Sequence, residues 1–274
     1  MKEMTTPEVH QVLLDILKDF HAFCEENDIK YSLSGGTLLG AIRHNGFIPW
    51  DDDADIQMPR PDYDRFVNTY ESSKGYKLFC REKTGGENVK LRFAELCEME
   101  KTYVDKDLIP WVNEETGIGI DIIPVEGAPS SEKEMRKHLR SLSLWAMIGS
   151  CWRVRDASFR KIWGSSKSKT RYVFIFKKLL SYFTGDWCLL KYLKIAKKYK
   201  YDTSDYFCAG IHYGMREWQP KENMSSFVLH KFEDTELYVM SGYDQNLNSL
   251  YGDYMEIPPQ NKRIVHSSFK NYWK

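Results

Sequence analysis

Apolar residues recur at helical spacing near the start of the chain, at Val9, Leu13, Ile16, Leu17, Phe20 and Phe23 or Cys24. That stripe predicts an amphipathic helix with one face against a core. Thr6 is its expected N-cap, Pro7 takes the first helical position, where its missing amide costs nothing, and the helix ends near Asn27. His10 and His21 lie on or beside it and read as surface or satisfied core residues. From Tyr31 the pattern becomes strand-like, and Gly35-Gly36 breaks it, since two residues without a Cβ permit a tight turn and close approach to a ligand. Thr37 is the expected cap of a short helix from Leu38 to His44, ended by Asn45-Gly46. A strand over Asp51 to Met58 then places Asp53 and Asp55 on one face and Ala54 and Ile56 on the other.

Downstream, Asp62 to Ser72 reads as a helix with Tyr63, Phe66, Val67 and Tyr70 on one side, and Gly75 to Cys80 reads as a strand. Gly85-Gly86 marks a hairpin into Val89 to Ala94, where Lys90 and Arg92 share a face, and Lys101 to Val104 extends the meander. Gly117 to Pro124 is an apolar strand carrying one carboxylate, Asp121. Burial of such a group is expensive unless it is paired, hydrogen-bonded or on a metal. Helices follow: one begins at Ser131-Glu132, with Met135, Leu139, Leu142 and Trp145 or Ala146 as its stripe. The last third returns to strands around Asp205 to Gly210 and Thr235 to Met240, with a helix from Gly242 to Leu250. The expected class is α+β, a mixed sheet packed with helices. Three regions are expected: a core over residues 1–128, a basic helical appendage over 129–204 and a C-terminal segment, 205–274, completing the core.

Composition narrows the function. Of 274 residues, 42% are apolar and 28% charged, which excludes disorder as the default. Acidic and basic residues balance at 39 each, which argues against nucleic-acid binding. No apolar run is long enough to cross a bilayer, and the N-terminus lacks a signal-peptide core, so the expected location is cytoplasmic. Six cysteines without Cys-x-x-Cys spacing read as reduced core thiols. Between Arg160 and Lys200, however, twelve basic residues face a single acid, Asp186, and aromatics are interleaved among them. Such helices fit peripheral contact with an anionic membrane face, or a helical hairpin whose lysines snorkel.

The chemistry concentrates in the glycine turn and the acidic strand. Ser34, Gly35, Gly36 and Thr37 lie where helix amides favour an anion. Asp53 and Asp55 side by side repel unless a hard divalent cation lies between them. Arg43 and His44 follow by one short helix, and Trp50 adjoins the acids. Lys90 and Arg92 are candidates for gripping a pyrophosphate. Asp51 and Asp52 are alternatives for metal binding, a turn cap or local electrostatics.

The string GGTLLGAIRHNGFIPWDDDADI, from Gly35 to Ile56, resembles the LicD family of phosphocholine and related phosphoryl-alcohol transferases within the nucleotidyltransferase superfamily. Tyr251-Gly252-Asp253-Tyr254-Met255 followed by Pro258-Pro259 is similar to that family's C-terminal segment. The resemblance implies a nucleotidyltransferase-like core and a third carboxylate from a neighbouring strand, a position that Asp121 fits. It further implies Mg²⁺ or Mn²⁺ on Asp53, Asp55 and Asp121, with Arg43 at the leaving nucleotide phosphate. The donor it implies is CDP-choline or another CDP-alcohol, and the acceptor a sugar hydroxyl of a lipid-linked glycan or teichoic acid precursor, with release of CMP. Two other readings fit: a nucleotidyltransferase adding a nucleoside monophosphate, and an inactive glycan-binding module that has kept the fold.

Overall fold

The computed structural model describes residues 1–72, 74–81, 92–105, 116–155, 168–209, 213–263 and 269–274. Strand β1 (Lys2–Glu3) leads into α1 (Thr6–Glu26). Its cap is Thr5, one residue earlier than the sequence suggests: the Glu8 carboxylate accepts from the Thr5 amide at 2.8 Å and from its hydroxyl at 2.9 Å. Those bonds, the Thr5 amide first, hold the Glu8 carboxyl down at about 2. Leu13, Ile16, Leu17 and Phe20 of α1 are fully buried, as the periodicity requires.

Next come β2 (Ser32–Leu33), α2 (Gly35–His44), β3 (Asp55–Pro59), α3 (Arg60–Thr69), β4 (Lys77–Phe79), β5 (Ala94–Cys97), β6 (Thr102–Asp105) and β7 (Gly119–Ala128). Among the described residues, one seven-stranded sheet has the order β2-β3-β7-β5-β4; β8 (Tyr206–Cys208) pairs with the far end of β7, and β9 (Gln219–Pro220) with β8. The β3–β7 pair is parallel, and the other pairs are antiparallel. The fold is therefore α+β with a mixed sheet. Strand β7 is its axis: ten residues long, it touches β3, β5 and β8 and buries Ile120, Ile122 and Val125 completely.

The expected meander is corrected at β6, which pairs with β12 (Lys270–Trp273) and, through it, with β1 in a separate three-stranded sheet. Both strands that β6 joins are remote in sequence, so no local pattern announces the pairing. Hairpin β10 (Phe227–Phe232) and β11 (Thr235–Met240) packs on β2, where the Met240 amide donates to Ser32 Oγ at 2.9 Å. Its turn also braces the loop after α2: Glu233 accepts from the Phe47 amide at 2.9 Å and donates its own amide to the Asn45 carbonyl at 2.7 Å.

Helices α4 (Glu132–Arg153), α5 (Ser168–Leu180) and α6 (Asp186–Ala196) form the basic region, and α7 (Tyr243–Tyr251) returns to the core. Ser131 is at the N-cap position of α4, and Met135 and Leu142 are buried. All six cysteines are buried, and none forms a disulfide. No helix among the described residues is long and apolar enough to cross a membrane. Removing a side chain from the axis of such a sheet leaves a cavity that its neighbours cannot fill. Ile122→Ala is expected to cost about 2–5 kcal/mol in urea unfolding, a loss that a substitution at exposed Val228 of β10 would not reproduce.

Candidate active site

The site is built where α2 and β3 meet. Helix α2 begins at Gly35, with Ser34 as N-cap, three residues before the Thr37 cap that the sequence suggests. Gly35 has φ +51°, a left-handed conformation that its missing Cβ permits. The glycines are also required by what lies against them: a Cβ on Gly35 would sit 3.2 Å from Asp55 Oδ2, and one on Gly36 would sit 2.5 Å from Asp51 Oδ2. Thr37 is buried and acts as a strap, its hydroxyl accepting from the Asp55 amide at 2.9 Å, while the Ser34 amide donates to the Asp55 carbonyl at 2.9 Å.

The acidic strand is shorter than the alternation suggests. It starts at Asp55, so Asp53 lies in the preceding loop and shares no strand face with Asp55. The acids still crowd together. Burial first, then Asp53 and Asp52, push the Asp51 carboxyl up to about 8; burial, then Asp53 and Asp51, push Asp55 well above the carboxylate range. Asp51 Oδ1 is buried with no hydrogen-bond partner. On the sheet, Asp55 stands in direct register with Asp121, and Asp121 with Glu95 of β5. Residues in register share a face, on strands about 4.8 Å apart. Asp55, Asp121 and Glu95 therefore form a row of carboxylates across three strands.

Glu95 escaped the sequence reading because β5 begins at Ala94, where the expected strand ends. Its signal was the one that marked Asp121: a carboxylate inside an apolar strand. Tyr251 was also missed. Its hydroxyl lies 3.3 Å from that of Tyr213, and the rings meet edge to face at 5.8 Å. A Cβ on Gly35 would lie 3.8 Å from the Tyr251 hydroxyl, whose pKa is raised by burial, then by Tyr213, Asp55 and Asp51. The C-terminal segment thus closes one side of the acidic cluster.

The other candidates lie farther out. Arg43 donates to the Tyr254 carbonyl at 2.8 Å and the Glu256 carbonyl at 3.2 Å, fastening α2 to that segment. Burial, then Arg43, lower the His44 pKa, and its ring meets Trp50 edge-on at 6.1 Å. One face of Trp50 carries the Arg263 guanidinium at 4.4 Å. Arg92 lies two residues before β5, its guanidinium 5.4 Å from the Tyr192 ring of α6, with Nε buried and without a hydrogen-bond partner. Lys90 lies outside the described residues. His10 is structural, stacked on Phe47 at 4.4 Å and bonded to the Asp51 carbonyl at 2.6 Å.

A family model described as "LicD/FKTN/FKRP, nucleotidyltransferase domain" matches residues 28–133, which include β2, α2, β3, β5 and β7. The lipopolysaccharide cholinephosphotransferase LicD of Haemophilus influenzae is 33% identical over 276 aligned residues, covering 97% of each chain. The chain belongs to the LicD family. It is a LicD-type transferase, alike along its whole length and not in the glycine–aspartate motif alone. Two uncharacterised proteins match shorter pieces: one of Rickettsia typhi is 43% identical over 68 residues, covering 24% of this chain and 22% of its own, and one of Rickettsia prowazekii is 50% identical over 50 residues, covering 18% and 19%.

Among the described residues, no three His, Cys, Asp or Glu groups converge closely enough to hold a metal ion as they stand. The donor set nevertheless has the chemistry of a hard-cation site: two carboxylates, Asp51 and Asp55, raised by burial and by neighbouring acids, and the Asp51 Oδ1 buried without a hydrogen bond. The Asp51 shift sets a pH test. From about pH 4, where a free Asp ionises, up to about 8, the folded protein keeps Asp51 protonated while the unfolded chain does not, so this group's contribution to stability declines as pH rises. Asp51→Asn is therefore expected to raise Tm at about pH 8 by 3 °C or more in chelator and to do little near pH 4. An equal effect at both pH values would contradict the assignment.

Proposed function

We propose that this protein transfers phosphocholine, or a related alcohol phosphate, from a CDP-alcohol to a sugar hydroxyl of a lipid-linked cell-surface glycan, at the cytoplasmic face of the membrane. The observation that carries the reading is full-length similarity to a lipopolysaccharide cholinephosphotransferase, together with the carboxylate row against the glycine turn. CDP-choline is the first donor to consider, and lipopolysaccharide or teichoic acid precursors the first acceptors.

Asp53, Asp55 and Asp121 would hold Mg²⁺ or Mn²⁺, with Asp51 and Glu95 beside them. When bound, the ion supplies charge neutralisation for the donor's pyrophosphate. Asp55 and Asp121 already stand in register on neighbouring strands, and Asp53 lies in the loop that leads into β3. The first amides of α2, at Gly35 and Gly36, lie at the positive end of that helix and favour the donor phosphates. The acceptor oxygen attacks the phosphorus that bears choline, the bond from that phosphorus to the oxygen of CMP breaks, and Asp121 takes the hydroxyl proton. Such a transfer needs mainly positioning and charge compensation.

A quaternary ammonium prefers an aromatic face. Tyr213 and Tyr251, edge to face beside Asp55, offer one. On Trp50, Arg263 already takes one face. Arg43, with two contacts to backbone carbonyls, is better suited to positioning the C-terminal segment than to gripping a phosphate.

Isothermal titration of CDP-choline, CDP-ribitol, CDP-glycerol and CTP, with Mg²⁺ or Mn²⁺ and then with chelator, tests the reading. Metal-dependent binding of one CDP-alcohol at least about tenfold tighter than CTP, or about 1.4 kcal/mol, is expected, and Asp55→Asn should abolish it without loss of fold. Preference for CTP would point to nucleotidyl transfer, and no binding at all to an inactive module.

A further inference from the structure

Helix α5 is amphipathic the wrong way round for a helix of a closed core. Its outward stripe is apolar: Tyr172, Phe176 and Leu179, with Phe183 continuing the spacing just beyond the helix, are 69%, 61%, 53% and 81% exposed. These positions fall at i, i+4, i+7 and i+11, one side of a helix. The opposite side turns a lysine inward. Lys178 is buried, and its ammonium donates to the Arg155 carbonyl. Four large apolar groups in one exposed stripe make a patch that ordinarily marks an interaction surface.

The next helix in the chain, which like α5 packs on α4, adds charge. On α6, Trp187 and Leu190 are exposed at i and i+3, and Lys191 and Lys194 follow at i+4 and i+7 of the same stripe. The one carboxylate between Arg160 and Lys200, Asp186, is consumed by an ion pair with Arg81 of the core, so the lysines of that stretch are left without compensation from it. Trp187 meets Trp145 of α4 edge to face at 5.8 Å, which joins α6 to α4.

We propose that this face docks on an anionic lipid bilayer, with the α5 stripe and Trp187 entering the boundary between headgroups and acyl chains and Lys191 and Lys194 on the lipid phosphates. An apolar stripe flanked by aromatics and lysines is the pattern of a helix lying in a membrane interface. No described helix is long and apolar enough to span, so the contact is peripheral. A second copy of the chain fits less well, because a two-fold interface through this face would set the same lysines against themselves. The proposal goes beyond the transfer chemistry and is independent of it: the surface binds lipid whether or not the acidic site turns over.

Flotation of the full chain with vesicles of phosphatidylcholine alone, and of phosphatidylcholine mixed with phosphatidylglycerol, tests it without any activity measurement. The protein is expected to float with the anionic vesicles and not with the neutral ones. Lys191→Glu with Lys194→Glu should weaken that binding about tenfold or more, and Phe176→Ser with Phe183→Ser should abolish it at unchanged Tm. Brominated lipid supplies a readout that tolerates a poorly folding variant: it should quench tryptophan fluorescence in the wild type, and less in Trp187→Phe. Failure of the wild type to float with anionic vesicles, or equal quenching in Trp187→Phe, would overturn the proposal. So would a dimer in sedimentation that the Phe176→Ser, Phe183→Ser pair dissociates while vesicle binding persists.

Discussion

Like charges held on adjacent strands are the constraint around which the molecule is arranged. Asp55, Asp121 and Glu95 sit in register across β3, β7 and β5, and Asp51 and Asp53 press on the same place from the preceding loop. Burial and mutual repulsion both disfavour the ionised forms of Asp51 and Asp55, so without a counter-charge these two hold protons that free aspartates would release. Such an arrangement persists only if the surrounding sheet is stable enough to impose it. The length of β7 and the complete burial of its Ile120, Ile122 and Val125 supply that stability.

Nearby features follow from the same constraint. The two glycines of α2 leave room for Asp51 and Asp55, Thr37 straps the Asp55 amide, and the Glu233 turn clamps the loop that carries the acids. Arg43 holds the C-terminal segment against α2, and that segment brings Tyr251 to the cluster. Tyr254 completes the anchor through a 2.6 Å bond from its hydroxyl to Asp244 of α7. The C-terminal motif thus has a physical role: it forms one wall of the acidic site and fastens that wall to two helices.

Much of this was legible in the chain's pattern. The α1 stripe, the Asn45 helix end, the Asp121 carboxylate among the isoleucines of β7 and the glycine turn followed by aspartates are local signals with local causes. Other features were not legible, for identifiable reasons. Two consecutive glycines are poor helix formers, so the start of α2 at Gly35 reads as a break until the anchoring of Ser34 to Asp55 is known. Asp53 leaves the strand because pairing with β2 and β7 begins only near Asp55, which period-two alternation cannot register. The pairing of β6 with β12 and the meeting of Tyr213 with Tyr251 depend on long-range closure. Helix α5 was expected to be amphipathic, but the sequence does not say which side faces the protein.

In the proposed reaction the acidic cluster moves an alcohol phosphate and leaves the nucleotide behind. Incubating the purified protein with a lipid-linked saccharide acceptor and CDP-choline, labelled in separate samples on choline and on cytidine, tests this most directly. The account predicts choline label on the acceptor, cytidine label as free CMP, and neither with Asp55→Asn. Cytidine label on the acceptor, or transfer undiminished in Asp55→Asn, would contradict it.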